Sequence, residues 1–352
     1  MKSAFFTAIR QIEIRDEPKP SISQPDEVLL RIDRLGVCGS DVHYFTDGRI
    51  GDDVVPLPAS LGHECSGTVV EIGSGVKSLV VGNRVAVDPA VACGTCDQCV
   101  QGRSNTCRSM KFMGCPNQGP GAAAEFRVLP ANNCIAVPES ISLDQAALVE
   151  PLAVGFYAVR MAALRPDTNI AILGSGPIGL SVLLSAKATG TCTTFVTDLL
   201  DARLAVARTC GADWTKKTIK NDPTAAEELE KAIRDQNPNG QDVVFECTGD
   251  PNCIDQAQRI LTPGGTLIMI GITPETQVSF DAHLMRRTEL TFKNVRRQES
   301  CMKPVIDLMA AGKINADPML THHYPLDKIQ DAFELVAGYE DGVVKAMVEI
   351  SG

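Results

Sequence analysis

The sequence predicts an α/β protein that joins an irregular β-rich domain to a doubly wound parallel sheet. Residues 1 to about 150 are rich in glycine and proline and carry short β-branched runs, whereas residues 154–295 alternate apolar strands with helical stretches. This alternation is the pattern of a parallel sheet with helices on both faces. The length of 352 residues fits the division, because a domain contains about 150 residues on average.

The elements follow from hydrophobic periodicity and turn residues. Strand-like runs in the β-rich region lie at residues 27–32, 67–72 and 83–87. Six apolar runs predict the parallel strands, at residues 170–173, 195–198, 214–218, 243–247, 266–271 and 290–295. A helix at about 300–311, a helical stretch around Phe333 and a strand at 343–350 complete the chain. We expect this tail to join the first region, so that residues 1–153 and 296–352 form one domain and residues 154–295 the other.

The composition is that of a globular protein with an acidic surface. Hydrophobic residues make up 44% and charged residues 22% of the chain, and the formal net charge is −10. Nucleic acids are bound by clustered Lys and Arg, so this charge argues against a nucleic-acid partner. No apolar run approaches the roughly 18 residues of a membrane span, and no signal-like stretch opens the chain. We therefore expect a cytoplasmic protein with no membrane partner, in which the thirteen cysteines favour metal ligation over disulfides.

The run from Gly174 to Gly179, Gly-Ser-Gly-Pro-Ile-Gly, follows a predicted strand and opens a predicted helix. Such glycines permit a tight turn and the close approach of a pyrophosphate, which the amides at the helix N-terminus bind. Asp198 ends the second strand, where a carboxylate accepts hydrogen bonds from ribose hydroxyls and repels a 2′-phosphate. The pattern predicts NAD rather than NADP. The alternative is a glycine turn beside a surface acid.

Cys93, Cys96, Cys99 and Cys107 form a second pattern, with two successive two-residue gaps before the fourth cysteine. Four thiolates close a tetrahedral zinc shell without an open position, which predicts a structural zinc that stabilises its own lobe. One alternative is a set of free or redox-active thiols. Another is a zinc ribbon that binds nucleic acid, which the acidic charge disfavours.

A third set is scattered along the chain and consists of Cys38, His63, Glu64 and Glu150. Taken singly, each has a structural explanation: a buried thiol, a hydrogen-bonded histidine or a paired surface acid. Together, one thiolate, one imidazole and carboxylates could hold a zinc that keeps one position open for water or an alcohol. Such a zinc lowers the pKa of a bound hydroxyl and favours hydride loss from the alcohol carbon.

These motifs together resemble the zinc-dependent medium-chain dehydrogenase/reductase family, and within it the sorbitol/xylitol (polyol) dehydrogenase branch. The matching segments follow the family order over nearly the whole chain, at residues 36–44, 47–51, 62–64, 149–152, 174–179 and 197–199. The resemblance implies a GroES-like catalytic domain that is interrupted by a Rossmann domain and completed by the C-terminal segment. It also implies two zinc ions per subunit, one catalytic and one structural, and a homotetramer.

The resemblance further implies roles for single residues. Cys38, His63 and Glu64 fall on the catalytic-zinc motifs, and Glu150 would reach the metal directly or through its water. Ser40 and His43 fall where related enzymes relay the alcohol proton. Tyr44, Glu150 and Arg296 fall on substrate contacts. The positions that would contact NAD are Gly174, Gly176, Pro177, Ile178, Gly179, Asp198, Arg203, Ile270, Gly271, Ile272, Val295 and Arg296.

Arg297 departs from the branch, which commonly has an aromatic residue, usually Tyr, at this place. Two adjacent guanidiniums could bind several polyol hydroxyls, or form a fork for a substrate phosphate or carboxylate. Alternatively, Arg297 pairs with Glu299 or faces the cofactor phosphates. His322 and His323 suggest a metal site, but we interpret them as structural residues in a loop before the final helix.

The expected function is the NAD-dependent oxidation of a polyol secondary alcohol to a ketose by zinc-assisted hydride transfer. The alternative within the same class is a zinc alcohol dehydrogenase for another secondary alcohol, an amino alcohol or a sugar-alcohol phosphate. From another class, the chain could be a dinucleotide-binding protein without catalysis. Activity on a panel of alcohols separates these possibilities.

Overall fold

The computed structural model describes residues 1–190, 193–220, 222 and 224–351, and it divides into two compact units. The first unit comprises Met1–Glu150, Met302–Gly312 and the chain from Leu320 onward. The second unit comprises Pro151–Cys301 and Lys313–Met319. The chain therefore leaves the first unit after Glu150 and returns to it at Met302.

The chain up to Glu150 consists of short strands and a few helices. Its strands are β1 (Lys2–Ala8), β2 (Gln11–Asp16), β3 (Glu27–Gly36), β4 (Arg49–Ile50), β5 (Asp53–Val54), β6 (Ala59–Ser60), β7 (Glu64–Ile72), β8 (Arg84–Val87), β9 (Ala90–Val91), β10 (Lys111–Phe112), β11 (Phe126–Pro130) and β12 (Cys134–Ala136). Its helices are α1 (Gly39–Asp47), α2 (Asp97–Val100) and α3 (Leu143–Ala147). A capping box begins α3, in which Ser142 and Gln145 bind each other's backbone amides.

The following part alternates strands and helices, as the sequence predicts. Its helices are α4 (Val149–Ala162), α5 (Pro177–Thr189), α6 (Asp201–Thr209), α7 (Ala225–Gln236), α8 (Pro251–Ile260) and α9 (Ala282–Thr288). Its strands are β13 (Asn169–Leu173), β14 (Thr193–Asp198), β15 (Trp214–Lys217), β16 (Gln241–Glu246), β17 (Leu261–Met269) and β18 (Thr291–Asn294). The final elements are α10 (Met302–Ala310), β19 (Leu320–Pro325), α11 (Ile329–Gly338) and β20 (Lys345–Glu349).

The main sheet of the first unit has seven strands among the described residues, in the order β12-β8-β7-β3-β20-β19, with β11 also paired to β3. The last strand of the chain, β20, therefore lies beside β3 and runs antiparallel to it. Phe6, Phe45 and Phe333 pack in the core, and the ring centroid of Phe333 lies 5.6 Å from Phe6 and 5.4 Å from Phe45. The C-terminal segment thus contributes both a central strand and an aromatic anchor to this unit.

The second unit holds the predicted doubly wound sheet. In the described chain its six strands are all parallel, in the order β15-β14-β13-β16-β17-β18. The strand order reverses between β13 and β16. At such a switch point, the carboxyl ends of parallel strands form a crevice for ligands. The predicted α/β class and the six-stranded parallel sheet are confirmed.

One element differs from the prediction. His322 and His323 do not lie in a loop but in β19, which pairs in parallel with β20. The β-branched and aromatic neighbours Thr321 and Tyr324 suit a strand, and β20 supplies the hydrogen-bonding partner that the local sequence does not reveal. His322 Nε2 lies 3.2 Å from Asp341 Oδ2, which fits a structural role.

Among the described residues, no helix is long and apolar enough to cross a membrane.

Candidate metal centres and cofactor site

Cys38, His63 and Glu64 come together in the first unit. Cys38 directly precedes α1, whereas Glu64 is the first residue of β7 and His63 directly precedes it. One ligand atom of each residue, a thiol sulfur, an imidazole nitrogen and a carboxylate oxygen, lies within 4.8 Å of the others. His63 and Glu64 are buried, and Cys38 is half-buried. The pairing of β3 with β7 therefore joins two motifs that are about 25 residues apart in the sequence.

A glycine makes this approach possible. Gly36 pairs with Glu64 across β3 and β7. A Cβ atom at Gly36 would lie 2.5 Å from Glu64 Oε2, so a side chain there would displace the carboxylate. Glycine at this position therefore leaves the space that the carboxylate occupies.

Polar groups on α1 contact two of the candidate metal ligands, His63 and Cys38. Asp41 is buried on α1, and its Oδ2 lies 3.4 Å from His63 Nδ1. This contact leaves Nε2 of His63 for a metal, and a carboxylate behind a ligating imidazole fixes its ring orientation. The Ser40 hydroxyl donates a hydrogen bond to Cys38 Sγ over 3.2 Å. His43 lies on the same helix, where its half-exposed ring is 3.5 Å from Asp47 Oδ2.

Glu64 has a second partner from the distant end of the chain. The Lys345 ammonium on β20 donates to Glu64 Oε2 over 2.5 Å and to the Val37 carbonyl over 3.0 Å. Both charged side chains are fully buried, at 1% and 2% exposure. Burial alone would lower the pKa of Lys345, but the charges of Glu64 and Cys38 raise that pKa overall. The lysine is therefore a fixed positive charge beside the cluster.

Glu150 lies close to this cluster but is not one of its mutually adjacent ligands. Its side chain is 8% exposed. Burial raises the pKa of Glu150 to about 7; the positive charge of His63 opposes this rise and the carboxylate of Glu64 reinforces it. Among the described residues, the group of ligand atoms within 4.8 Å contains Cys38, His63 and Glu64 without Glu150. Whether Glu64 or Glu150 binds the metal directly therefore stays a prediction.

The donor set fits a zinc ion. Thiolate, imidazole and carboxylate are the donors that zinc takes in proteins, and three protein ligands leave a fourth position for water or substrate. Asp41 beside His63 and Lys345 on Glu64 are the kind of neighbouring groups that orient the ligands in such sites. The cluster is therefore suited to an open zinc site.

The four cysteines of the second pattern also meet. Cys93, Cys96, Cys99 and Cys107 lie around α2, with their sulfur atoms within 4.8 Å of one another. Backbone hydrogen bonds from Thr95 and Cys96 lower the pKa of Cys93 to about 6, which favours the thiolate that binds metal. Every cysteine in the described part of the chain is a free thiol, so these sulfurs are available as ligands. Their arrangement fits a closed tetrahedral zinc site.

The glycine loop of the second unit has the form that the sequence predicts. Gly174 takes a left-handed φ of 92°, and a Cβ at Gly179 would lie 1.8 Å from the Gly174 carbonyl oxygen. Helix α5 begins at Pro177, and its N-cap, Gly176, offers no side chain to satisfy the first amides. These amides are consequently available to a phosphate group, which the helix dipole also favours.

Asp198 holds this loop in place. At the end of β14, its Oδ2 accepts hydrogen bonds from the Ser175 amide over 2.7 Å and from the Ser175 hydroxyl over 3.0 Å. Its Oδ1 accepts a bond from the Leu200 amide over 2.9 Å. A carboxylate has about four acceptor sites, so Asp198 can hold the loop and still accept a ribose hydroxyl.

The other predicted cofactor positions lie around the carboxyl ends of the strands. Arg203 on α6 is buried, and its Nη1 lies 3.5 Å from the place of a Cβ on Gly176. The Ile270 and Gly271 amides donate to the Glu246 carbonyl, and Ile272 is exposed. Ile178 lies in the first turn of α5. Val295, Arg296 and Arg297 follow β18, with Arg297 in the left-handed region at φ 54°.

Tyr44, a predicted substrate contact, lies on α1 within the apolar core of the first unit and is 6% exposed. Burial raises the pKa of its hydroxyl, which therefore remains protonated. A neutral tyrosine hydroxyl can donate a hydrogen bond to a substrate oxygen.

Sequence reasoning missed three residues that support these sites. Asp41 and Ser175 lie inside the quoted motifs, but only the structure shows that Asp41 contacts His63 and that Ser175 donates to Asp198. The sequence contains one indication of Lys345, a lysine between apolar residues in the strand at the end of the chain. Such a charge is costly to bury without a partner, so its position called for a buried acid.

Comparison with known proteins identifies the family. Residues 24–139 match the alcohol dehydrogenase GroES-like domain, and residues 177–311 match the zinc-binding dehydrogenase domain. The sorbitol dehydrogenase of Bacillus subtilis is 35% identical over 348 residues, which cover 99% of this chain and 97% of that protein. The chain belongs to the zinc-dependent medium-chain dehydrogenase/reductase family, in its polyol dehydrogenase branch.

Other members of the family show the same relationship. The L-idonate 5-dehydrogenase of Vitis vinifera is 35% identical over 337 residues, covering 95% of this chain and 91% of that protein. A crystal structure of a short chain alcohol dehydrogenase from Escherichia coli CFT073, complexed with NADH, has a TM-score of 0.89, 26% identity and 99% coverage of both chains. The predicted family, the branch and the zinc- and nicotinamide-dependent enzyme class are thereby confirmed.

Replacement of Cys107 by Ser should remove the metal from the four-cysteine lobe. The zinc content should fall by about one ion per chain, because the shell loses one of four thiolates. Metal analysis of the purified variant measures this, and limited proteolysis should show faster cleavage within residues 93–107. Cys253→Ser, a cysteine outside both clusters, is the control. An unchanged zinc content in Cys107→Ser would contradict a metal at this lobe.

Proposed function

We propose that this chain oxidises a secondary hydroxyl of a polyol such as sorbitol or xylitol to a ketone and reduces NAD to NADH. The observation that carries the proposal is the cluster of Cys38, His63 and Glu64, which offers three protein ligands and leaves room for one more. In the reaction the alcohol carbon loses a hydride to the nicotinamide, and the hydroxyl proton passes to solvent. Similarity to sorbitol dehydrogenases over almost the entire chain supports the substrate class.

Each predicted domain would have one part in this reaction. Residues 1–153 and 296–352 would form the catalytic domain with the two zinc sites, and residues 154–295 would form the NAD-binding domain. Cys38, His63 and Glu64 would hold the catalytic zinc, with Glu150 as a direct or water-mediated ligand. When bound, zinc lowers the pKa of a coordinated hydroxyl and NAD accepts the hydride. The four cysteines around α2 would hold the structural zinc.

The remaining residues position groups and move the proton. Ser40, which touches Cys38 Sγ, and His43, one turn further along α1, would carry the hydroxyl proton outward, since the His43 ring is half-exposed. Glu150 is buried with its pKa raised to about 7, so it can take up or release a proton near neutral pH. Tyr44, Glu150 and the arginines at 296 and 297 would contact the polyol hydroxyls.

The second unit would bind NAD through the glycine loop and the strand ends around it. The free amides of α5 would receive the pyrophosphate, and Asp198 would accept the ribose hydroxyls. Arg203 beside the loop would add a positive charge, and the segments 270–272 and 295–296 would also contact NAD. We further propose that the enzyme is cytoplasmic and forms a homotetramer. Light scattering of the purified protein tests the homotetramer.

The first test is NADH production with purified protein, NAD and a panel of sorbitol, xylitol, other polyols and simple secondary alcohols, followed at 340 nm. We expect polyol oxidation in the wild type. Cys38→Ser should lose turnover and about one zinc per chain, because it removes a thiolate from an open site. Cys253→Ser, the control, should keep its turnover and its full zinc content. Full turnover in Cys38→Ser would contradict the catalytic-zinc assignment, and turnover of simple alcohols alone would contradict the substrate class.

Asp198→Ala should weaken discrimination between the two nicotinamide cofactors. The variant loses an acceptor for ribose hydroxyls and the repulsion of a 2′-phosphate, and its glycine loop loses an anchor. Hydrogen bonds to charged groups contribute about 1.5–3 kcal/mol, so kcat/KM for NAD relative to NADP should fall by about tenfold or more. If the ratio stays as in the wild type, discrimination lies elsewhere.

A second candidate is an acidic polyol, one that carries a carboxylate or a phosphate. It is favoured by Arg297, which stands next to Arg296 where the branch commonly has an aromatic residue. The similarity to an L-idonate 5-dehydrogenase supports the same substrate class. Adjacent guanidiniums are suited to bind such an anion in a fork.

Arg297→Tyr separates the two candidates. With an acidic polyol as the preferred substrate, kcat/KM for the acid relative to sorbitol should fall by about tenfold or more, because one charged hydrogen-bonding group is lost. Arg286→Tyr, at an exposed arginine on α9, is the matched control. An unchanged ratio would exclude Arg297 from anion recognition.

A further inference from the structure

The buried lysine of the first unit has no part in the reaction as described so far. Lys345 is 1% exposed, and no other lysine of the described chain is buried. A buried ammonium requires hydrogen-bond partners and a countercharge. Lys345 has both, since its Nζ contacts Glu64 Oε2 and the Val37 carbonyl oxygen.

The contacts of Lys345 join three parts of the fold. Val37 directly precedes Cys38, and Glu64 directly follows His63. The strand that carries Lys345 is itself fixed beside this point, because Met347 pairs with Gly36 and the Val37 amide donates to the Ala346 carbonyl over 3.0 Å. One ammonium group therefore touches both segments that carry the candidate metal ligands.

Gly36 shows how tightly this arrangement is built. A Cβ at Gly36 would lie 2.5 Å from Glu64 Oε2 and 3.4 Å from Lys345 Cδ. Oε2, the oxygen that Lys345 binds, therefore lies directly against the backbone of β3. Gly36 therefore leaves the space in which this oxygen meets the lysine.

We infer that Lys345 is a positioning residue that restrains Glu64 through their ion pair and weakens its bond to the zinc, which keeps one metal position exchangeable. This inference rests on the proposed zinc site. An ammonium on one carboxylate oxygen withdraws electron density from the whole group and so reduces its strength as a metal ligand. It also places a positive charge near a second cation, which lowers the affinity for that cation.

Both the withdrawal of electron density from Glu64 and the repulsion of the metal by the ammonium weaken zinc binding. Without the ammonium, Glu64 becomes a stronger and more mobile ligand, and the repulsion of the metal disappears. The zinc should therefore be held more tightly, and an alcohol should compete less well for the metal. A merely structural lysine would have the opposite signature, because a damaged site releases its metal faster.

The experiment measures zinc release from the holoenzyme into an excess of a coloured chelator, without substrate. The phase of zinc release that is missing in Cys38→Ser reports on this site. In Lys345→Met, that phase should be about tenfold slower than in the wild type, and KM for the polyol should rise more than kcat falls. Lys345→Arg keeps the charge and should behave nearly as the wild type. Lys328→Met, which removes an exposed lysine from the same unit, is the control for net charge.

A double-mutant cycle with Glu64→Gln isolates the interaction and avoids an unpaired buried acid. In the Glu64→Gln background, Lys345→Met should change zinc release by less than about twofold, since the residue acts through the carboxylate. Equal effects in both backgrounds, or faster release in Lys345→Met with native circular dichroism, would overturn the inference. Because the chelator assay needs no substrate, failure of the polyol panel leaves this result unaffected and concerns only the proposed function.

Discussion

The buried contact between Lys345 and Glu64 ties the two segments that carry the metal site of the first unit to the end of the chain. It joins the last strand of the chain to β7 across β3, and it does so where Gly36 leaves space for the carboxylate. Two opposite charges are removed from water here, which is favourable only with close geometry and further hydrogen bonds. The Val37 carbonyl supplies such a bond. The segments before Cys38 and after His63 are thereby fixed to each other and to the C-terminal strand.

In the second unit, a buried carboxylate likewise fixes the backbone around a ligand site. Asp198 receives the amide and hydroxyl of Ser175 and so fixes the glycine loop at the end of β13. In both units a charged side chain first stabilises the backbone around a site and then offers its remaining capacity to a ligand. This dual use explains why Asp198 and Glu64 are buried although they belong to ligand sites. Ordered surroundings reduce the loss of entropy when the ligand binds.

The parts of the site that sequence reasoning found are those with local rules. The spacing of Cys93, Cys96, Cys99 and Cys107 and the glycines after β13 are fixed by the geometry of one turn or one metal, so a single segment displays them. Sequence reasoning missed Asp41 and Lys345 because their partners, His63 and Glu64, lie 22 and 281 residues away in the sequence. The sequence does not reveal the strand at His322 and His323 for a similar reason, because α11 separates them along the chain from β20, the strand that pairs with them.

The sequence by itself determined the α/β class, the parallel strands, the four-cysteine pattern, the dinucleotide turn and the family. Each of these depends on periodicity, spacing or residue type, which are properties of short segments. Only the tertiary structure decided which acid accompanies His63, which charge faces Glu64, and that Glu64 rather than Glu150 lies within 4.8 Å of Cys38 and His63. These relations depend on strand pairing between distant segments, because the energy of a buried charge is set by the neighbours that the fold brings to it.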